Sequence, residues 1–335
     1  MLTYTIRRLF MAIPTLLFIS LVIFLLLELA PGDPLADMPL TIPPEVREKI
    51  RLSLGLGEPW YIRYGLWLYN FFVTEPMYWF DNTFGTTFAD GRQRIISFQT
   101  RSPVFDTIAE RIPQTLKVVG LAYLVGVLIA VPIGVISAYK QYSWFDQIGT
   151  FVSMVGFSVP TFVTGVVLIV VFSVHLGWFP SIYDTTLVVT DWESFVKQVK
   201  QMVMPVFVLA LYNAAQISRY MRSSMLDNLS QDYVRTARAK GMSEKTVVLM
   251  HVLRNSMIPV VTVIALGVPG IFTGAIITEN VFKVNGLGQQ LLLSIQGNDA
   301  PMVLTVAFVF AILIVTFNLI ADVLYGILDP RIRYD

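Results

Sequence analysis

Few side chains in this sequence are of types that do chemistry, and none are spaced to do it together. No cysteine occurs and the histidines number two, His175 and His251. Disulfides, thiolate catalysis and cysteine metal sites are therefore excluded, and no ligand set for a histidine-built zinc site exists. Ser153 and Ser158 lie in an apolar stretch without a neighbouring histidine, so a serine nucleophile would have to find its base through the fold. No Gly-x-x-x-x-Gly-Lys-Ser/Thr occurs, so the chain lacks that phosphate-cradling loop. Ionisable groups inside apolar stretches are Glu28, which can snorkel, His175, which reads as a belt residue, and Asp322, four residues after Asn318. Asp322 reads as capping or pairing with a basic group rather than relaying protons. An ion-coupled secondary carrier would need coupling-ion ligands at depth, and a multispan membrane enzyme a nucleophile and base or a metal set. No chain of buried acids is present, so the energy source is expected outside this chain.

The elements that must position these residues are membrane spans. Of 335 residues, 55% are hydrophobic and 14% charged, with a mean hydropathy of +0.65; soluble chains carry about 25% charged residues. Such a chain needs a lipid bilayer as its main solvent, which rules out a disordered chain, a soluble Rossmann or TIM-barrel enzyme and a disulfide scaffold. The net charge of +1 implies no nucleic-acid affinity. A bilayer core about 30 Å thick takes about 20 apolar residues of helix. Six stretches qualify: 9–30, 118–138, 148–176, 202–217, 257–277 and 302–328. The expected fold class is therefore an all-α integral membrane protein of six transmembrane helices, with a sizeable external segment after the first.

Orientation follows from lysine and arginine in short loops. Arg7, Arg8, Lys140, seven basic residues between 218 and 256, and Arg331 and Arg333 fall on one side, against Lys197, Lys200 and Lys283 on the other. Both termini and the 218–256 loop are expected in the cytoplasm. Arg7-Arg8 reads as the flank of an uncleaved anchor rather than a twin-arginine signal, because the apolar run is long and no small-x-small site follows. The expected division is an anchor and first span over 1–30, an external segment over 31–112, and a five-span core over 113–335 containing the loop 229–256.

Ala122, Gly126, Ala130, Gly134 and Ala138 recur every fourth residue. Such a stripe lets helix backbones approach closely in lipid. Gly270 and Gly274 form a second small-xxx-small pair. Pro160 and Pro269 interrupt spans three and five, freeing carbonyls that are tolerated only against protein or a wet cavity. Six spans are few to enclose a route for a large solute, so a second six-span chain is expected beside this one.

In the external segment, Pro43 and Pro44 are expected to open a short helix, with Glu45 and Lys49 paired at i,i+4. From Trp60 to Phe80 there are ten aromatics. Their rings suit either a helix on the outer leaflet or a small external domain with an aromatic core; substrate stacking is a third reading.

The loop 229–256 carries the functional signal. Ser230 is expected to cap a helix running to Lys240, Gly241 to take the left-handed position that ends it, and Ser243 to cap a second helix with Glu244 in its first turn. Tyr233, Ala237 and Met242 give this projection an apolar side; Arg235, Arg238 and Lys240 give it a basic one. Such a compact projection suits docking on a cytoplasmic machine.

At these residues the sequence resembles a family. Tyr233-Val234-Arg235-Thr236-Ala237-Arg238-Ala239-Lys240-Gly241, then His251-Val252-Leu253-Arg254-Asn255 and Ile258-Pro259, resemble the loop of ABC importer permeases, in particular the B-type subunit of the dipeptide and oligopeptide branch. Arg235-Thr236-Ala237 stands where the general family has Glu-Ala-Ala, and the Ile-x-Leu-Pro pattern lacks its proline at 251–254. The likeness extends along the chain: Ile6-Arg7-Arg8-Leu9, Ile13-Pro14-Thr15 and Pro31-Gly32-Asp33-Pro34; Thr278-Glu279-x-Val281-Phe282 with Gly286-Leu287-Gly288; Asp329-Pro330-Arg331-Ile332-Arg333. Segment 70–90 is expanded relative to the usual short turn.

The resemblance implies a type I importer fold in a bacterial or archaeal inner membrane. It implies a second homologous permease, two cytoplasmic ATPase subunits that bind ATP and Mg, and an external binding protein delivering peptide. This chain would hold no cofactor or metal. The coupling residues would be Tyr233, Arg235, Thr236, Ala237, Arg238, Lys240, Gly241, Ser243 and His251, with Arg235 and Arg238 near acidic groups of the ATPase groove. Pro160, Pro269 and Glu279 are candidate gate or pathway residues. No side chain is singled out as touching cargo, and the cargo within the peptide, glutathione-like or nickel-chelate range stays open.

Overall fold

A computed structural model describes residues 2–30, 43, 45, 48, 51, 55–273 and 275–328. Outside them lie Pro31–Pro34, Pro44 and Lys49 of the expected short helix, Gly274 of the second small-residue pair, and Asp329–Arg333. The described residues are helical apart from turns and one isolated antiparallel bridge between Ile96 and Pro103.

Among the described residues, five helices are long and apolar enough to cross a bilayer: Ile6–Leu29, Val104–Tyr139, Trp192–Leu229, Glu244–Ile271 and Ala300–Val323. A sixth candidate is a pair, Trp144–Ser158 and Thr161–His175, bent by 101° at its break. The third expected span, 148–176, which Pro160 was expected to interrupt, is thus two rods. The cause is local. A residue before proline is pushed out of the helical region; Val159 is extended (φ −82°, ψ 124°) and Pro160 starts the second rod.

The fourth expected span, 202–217, is one part of a helix of 38 residues, Trp192–Leu229. Polar residues on either side of the apolar run do not end it. A capping box starts it: Asp191 accepts from the Ser194 amide at 2.8 Å, and Ser194 Oγ accepts from the Asp191 amide at 3.0 Å.

The helices are α1 (Leu2–Leu29), α2 (Trp60–Tyr69), α3 (Glu75–Phe84), α4 (Val104–Thr115), α5 (Leu121–Tyr139), α6 (Trp144–Ser158), α7 (Thr161–Leu168), α8 (Trp192–Leu229), α9 (Asp232–Ala239), α10 (Leu253–Gly267), α11 (Ile276–Phe282), α12 (Leu287–Gln296) and α13 (Ala300–Leu328). Single π turns at Asn70–Thr74 and Leu116–Gly120 join α2 to α3 and α4 to α5. The chain forms two compact units: residues 1–9, 114–289 and 314–335, and residues 10–113 and 290–313.

In the first unit α5 lies along α8. All five residues of the small stripe are buried. A Cβ on Gly126 would stand 2.9 Å from Asn213 Cβ, and one on Gly134 would stand 2.5 Å from Met221 Cβ and 2.8 Å from the Ser218 carbonyl oxygen. The stripe therefore serves packing within the chain. Gly156 brings α6 onto α8 at Leu211 and Ala215 in the same way. Asp146 and Arg222 tie these helices by a two-pronged ion pair, at 2.7 and 2.8 Å. The Ser143 hydroxyl caps α6 at the Asp146 amide. Arg8 pairs with Asp322 at 2.5 Å, the basic partner expected for that acid.

In the second unit Trp67 and Phe71 of α2 and the following turn meet Phe308 of α13 edge-on, with ring centroids 5.3 and 4.9 Å apart. Trp67 Nε1 donates to Thr305 Oγ1 at 3.2 Å. Tyr64 donates to the Leu17 carbonyl, exchanges a hydrogen bond with Ser20, and stacks obliquely on Phe24 of α1. Glu28 is held by Arg63. The ten aromatics thus divide: Tyr64, Trp67 and Phe71 join α1 and α13, Tyr78 lies under the guanidinium of Arg94, and Trp60, Tyr61, Tyr69, Phe72, Trp79 and Phe80 stay exposed. Glu75, buried at the start of α3, accepts from Arg94 and the Ile95 amide; Asp299 gathers the Ser97 hydroxyl and the Phe98 amide.

Candidate functional site

The loop between α8 and α10 is built as a rigid corner. Ser230 does not cap α9. It ends α8, with its hydroxyl donating back to the Asp227 carbonyl at 2.9 Å. α8 continues to Leu229, so residue 230 is still in its last turn, and Gln231 becomes the start of α9 without a side-chain cap. The next two expected signals fall on the turn. Gly241 is left-handed at φ +76°. Its amide donates to the Arg238 carbonyl at 2.9 Å and the Met242 amide to the Ala237 carbonyl at 3.3 Å, the two bonds of a Schellman stop. Met242 also packs with Ala237 in the apolar cluster, the contact that accompanies such a stop. Ser243 Oγ then accepts from the Thr246 amide, starting the turn Glu244–Thr246 and a π turn over Val247–Val252.

The apolar side of the corner is sunk into the first unit. Val234, Val247 and Val252 are fully buried and Ala237 nearly so, in one cluster with Met221 and Met225 of α8 and Val260 of α10. Tyr233 packs against the same cluster and donates to Asn228 Oδ1 at 2.9 Å. α9 is therefore packed into the same core as α8 and α10.

The polar side differs from expectation in one respect. Arg238 lies over the corner and donates two hydrogen bonds to Glu244, Nη2 at 2.6 Å and Nε at 3.1 Å. Those bonds hold its guanidinium above the ordinary arginine range. Within the chain its charge is paired with Glu244, and the pair braces the corner. Arg235 has a looser contact, 3.5 Å from Asp232, with both side chains in water. Thr236, Lys240 and Ser243 are exposed, and His251 is partly buried in the π turn with its carbonyl accepting from Asn255.

The other singled-out residues lie elsewhere in the first unit. Pro160 is at the break between α6 and α7. Pro269 opens the short helix Pro269–Thr273. At Gly270 a Cβ would meet no neighbour within 4 Å. Glu279 is buried at 1% exposure. One carboxylate oxygen accepts from Thr115 Oγ1 at 3.0 Å and the other from the Gln289 amide at 2.9 Å. Gly286 and Gly288 make room for it: a Cβ on Gly286 would fall 2.5 Å from the Glu279 carboxyl carbon. Glu279 thus joins the end of α4 to the first turn of α12 and is a tie between elements. Sequence reading missed Thr115 as its partner, and Asp146–Arg222 as the tie between α6 and α8. The only sequence hint of the latter is Ser143 three residues before Asp146, the spacing of a cap.

Two family models match the chain: "Binding-protein-dependent transport system inner membrane component" over residues 130–334 and "Binding-prot-dependent transport system membrane comp, N-term" over residues 1–119. The chain is 38% identical to the oligopeptide transport system permease protein AppB of Bacillus subtilis, over 100% of both proteins. It is 33% identical to the dipeptide transport system permease protein DppB of Lactococcus lactis, over 99% of this chain and 100% of that one. It is 36% identical to the glutathione transport system permease protein GsiC of Salmonella choleraesuis, over 100% of both.

Proposed function

Because this chain belongs to the inner-membrane components of binding-protein-dependent transport systems, we propose that its braced corner at 230–256 is the element through which ATP hydrolysis on partner chains drives uptake of di- and oligopeptides. The chain is a multi-pass permease subunit of an ABC importer and works in a membrane complex with ATPase and binding-protein partners. In the finer reading the complex holds a second homologous permease and two ATPase subunits, with ATP and Mg bound there and none here. Both termini and the corner face the cytoplasm, as the excess of lysine and arginine on that side supports.

The observation that carries this reading is the burial of Val234 and Ala237 in the core shared by α8 and α10. A push on α9 cannot be absorbed by a soft loop, so it turns the spans as a rigid body. The test is reconstitution of this chain with the ATPases and binding protein of its own system in sealed vesicles. Labelled dipeptide or short oligopeptide should accumulate only with ATP and the binding protein present. Uptake without ATP, or turnover of ATP by this chain alone, would overturn the reading.

A further inference from the structure

The span Glu244–Ile271 is broken near its outer end, and a side chain from another helix closes the break. In a regular helix the Ile264 carbonyl would accept from the Val268 amide, four residues on. Pro269 has no N–H, and a proline ring crowds the carbonyl four residues back, here that of Ala265. The Val268 amide turns to the Ala265 carbonyl instead, at 3.2 Å. Ile264 thereby loses its helical donor, and the Tyr123 hydroxyl of α5 donates to its carbonyl at 2.5 Å. Gly267 makes room for that hydroxyl: a Cβ there would stand 2.2 Å from the Tyr123 oxygen. Beyond the break Pro269 starts a short helix, whose Ile271 packs against Val119, Ala122 and Leu209.

We propose that this break is a hinge of the transport cycle and that Tyr123 is the positioning residue that latches it. A helix bends most easily where its hydrogen-bond ladder is interrupted, and this span lacks the rung at Ile264. The replacement rung comes from α5, so it can be broken and remade without disturbing the ladder of either helix. A bare carbonyl at span depth is tolerated only against protein or a wet cavity, so the hydroxyl holds the bend until water or another donor replaces it. α10 joins this hinge to the corner. It continues directly from the π turn Val247–Val252, and from Leu253 to Gly267 it is a rod of roughly 21 Å. In that respect the hinge rests on the coupling reading, because a displacement of the corner reaches the break along one helix.

Tyr123→Phe removes one oxygen and leaves the ring. In the complete transporter reconstituted in vesicles, a freed hinge lets the spans follow the ATPases without cargo. ATP hydrolysis without binding protein should rise about five-fold, the factor that one hydrogen bond carries in an equilibrium. Peptide imported per ATP and the melting temperature should fall, with the KM for peptide unchanged. A variant indistinguishable from the parent would overturn the latch. Adding Pro269→Ala restores an amide at 269 for the Ala265 carbonyl, so the Val268 amide can return to Ile264 and the hydroxyl is no longer needed. The double variant should regain its melting temperature yet transport poorly, its span now continuous; recovery of transport as well would make Tyr123 a structural support only and overturn the proposal. The chain has no cysteine, so nitroxides at Arg254→Cys and Ile277→Cys, exposed on either side of the break, can report its bending once the partner chains are freed of thiols. Their separation should differ between the nucleotide-free complex and the complex trapped with ATP and vanadate, and its distribution should broaden in Tyr123→Phe. A single separation in both states, with ATP-driven uptake intact, would reject the hinge and leave the coupling reading standing. Absence of ATP-driven uptake in the parent complex would reject both.

Discussion

Arg238 and Glu244 clasp each other across the left-handed turn at Gly241 with two hydrogen bonds. The clasp sets the angle between α9 and the turn that follows. Both side chains are about two-fifths exposed, so the pair stabilises by only about 0.2–1 kcal/mol. Its consequence should lie in coupling. Arg238→Ala and Glu244→Ala are each expected to keep insertion and melting temperature while raising the ATP hydrolysed per peptide imported. The exchange Arg238→Glu with Glu244→Arg should restore the ratio. Normal coupling in both single variants would show that the clasp does not position the corner.

Gly241 needs its conformation and not its space, since a Cβ there would meet nothing within 4 Å. A β-branched residue in the left-handed region costs about 1–2 kcal/mol. Gly241→Val should insert normally yet uncouple hydrolysis from uptake or release the ATPase, whereas Gly241→Asn, which tolerates that region, should retain most activity. Pull-down of the ATPase together with vesicle uptake checks both. Full uptake by the valine variant would reduce the loop to a solvated connector.

Gly134 is the reverse case, limited by space. Its nearest neighbours, Met221 Cβ at 2.5 Å and the Ser218 carbonyl at 2.8 Å, lie on the helix across from it. Gly134→Leu should push α5 off α8, with a packing loss of about 1–3 kcal/mol, and Gly126→Leu should act in the same direction. Thermal unfolding in detergent measures the loss. An unchanged melting temperature would mean that the stripe faces lipid.

Asp146 is buried and Arg222 is partly so. Removing the acid strands a cation, and breaking buried pairs costs about 3–5 kcal/mol. Asp146→Ala should therefore lower the yield of folded protein sharply, while Asp146→Ala with Arg222→Met should recover much of it. Equal yields from the single and double variants would show that the charges are not coupled.

The spans were legible because hydrocarbon selects for long apolar runs, and the 202–217 run shows the limit of that signal. Glu193, Lys197 and Arg222 lie beyond its ends, and a helix carries such residues readily where they leave lipid or find partners. The Gly241 corner was legible because its causes are local: a glycine stop and a serine cap. Ser230 misled for the same reason, since the cap pattern is present but the preceding helix had not yet ended. Asp146–Arg222, Thr115–Glu279 and Trp67–Thr305 were not legible. Their partners are 76, 164 and 238 residues apart, and no local pattern encodes a pairing that only the fold creates.

The break at Val159–Pro160 bears on how the protein is made. Each rod of the bent pair, Trp144–Ser158 and Thr161–His175, is about 22 Å long at 1.5 Å per residue, short of a hydrocarbon core about 30 Å thick. Neither can partition across a bilayer as an autonomous straight segment, and carbonyls freed at the bend need protein around them. The helix that covers α6, Trp192–Leu229, is synthesised afterwards. The pair is therefore expected to stay at the insertion machinery until the later helix arrives. Nascent chains stalled with Leu176 just outside the ribosome should crosslink to that machinery through this segment, and chains extended past Leu229 should have released it.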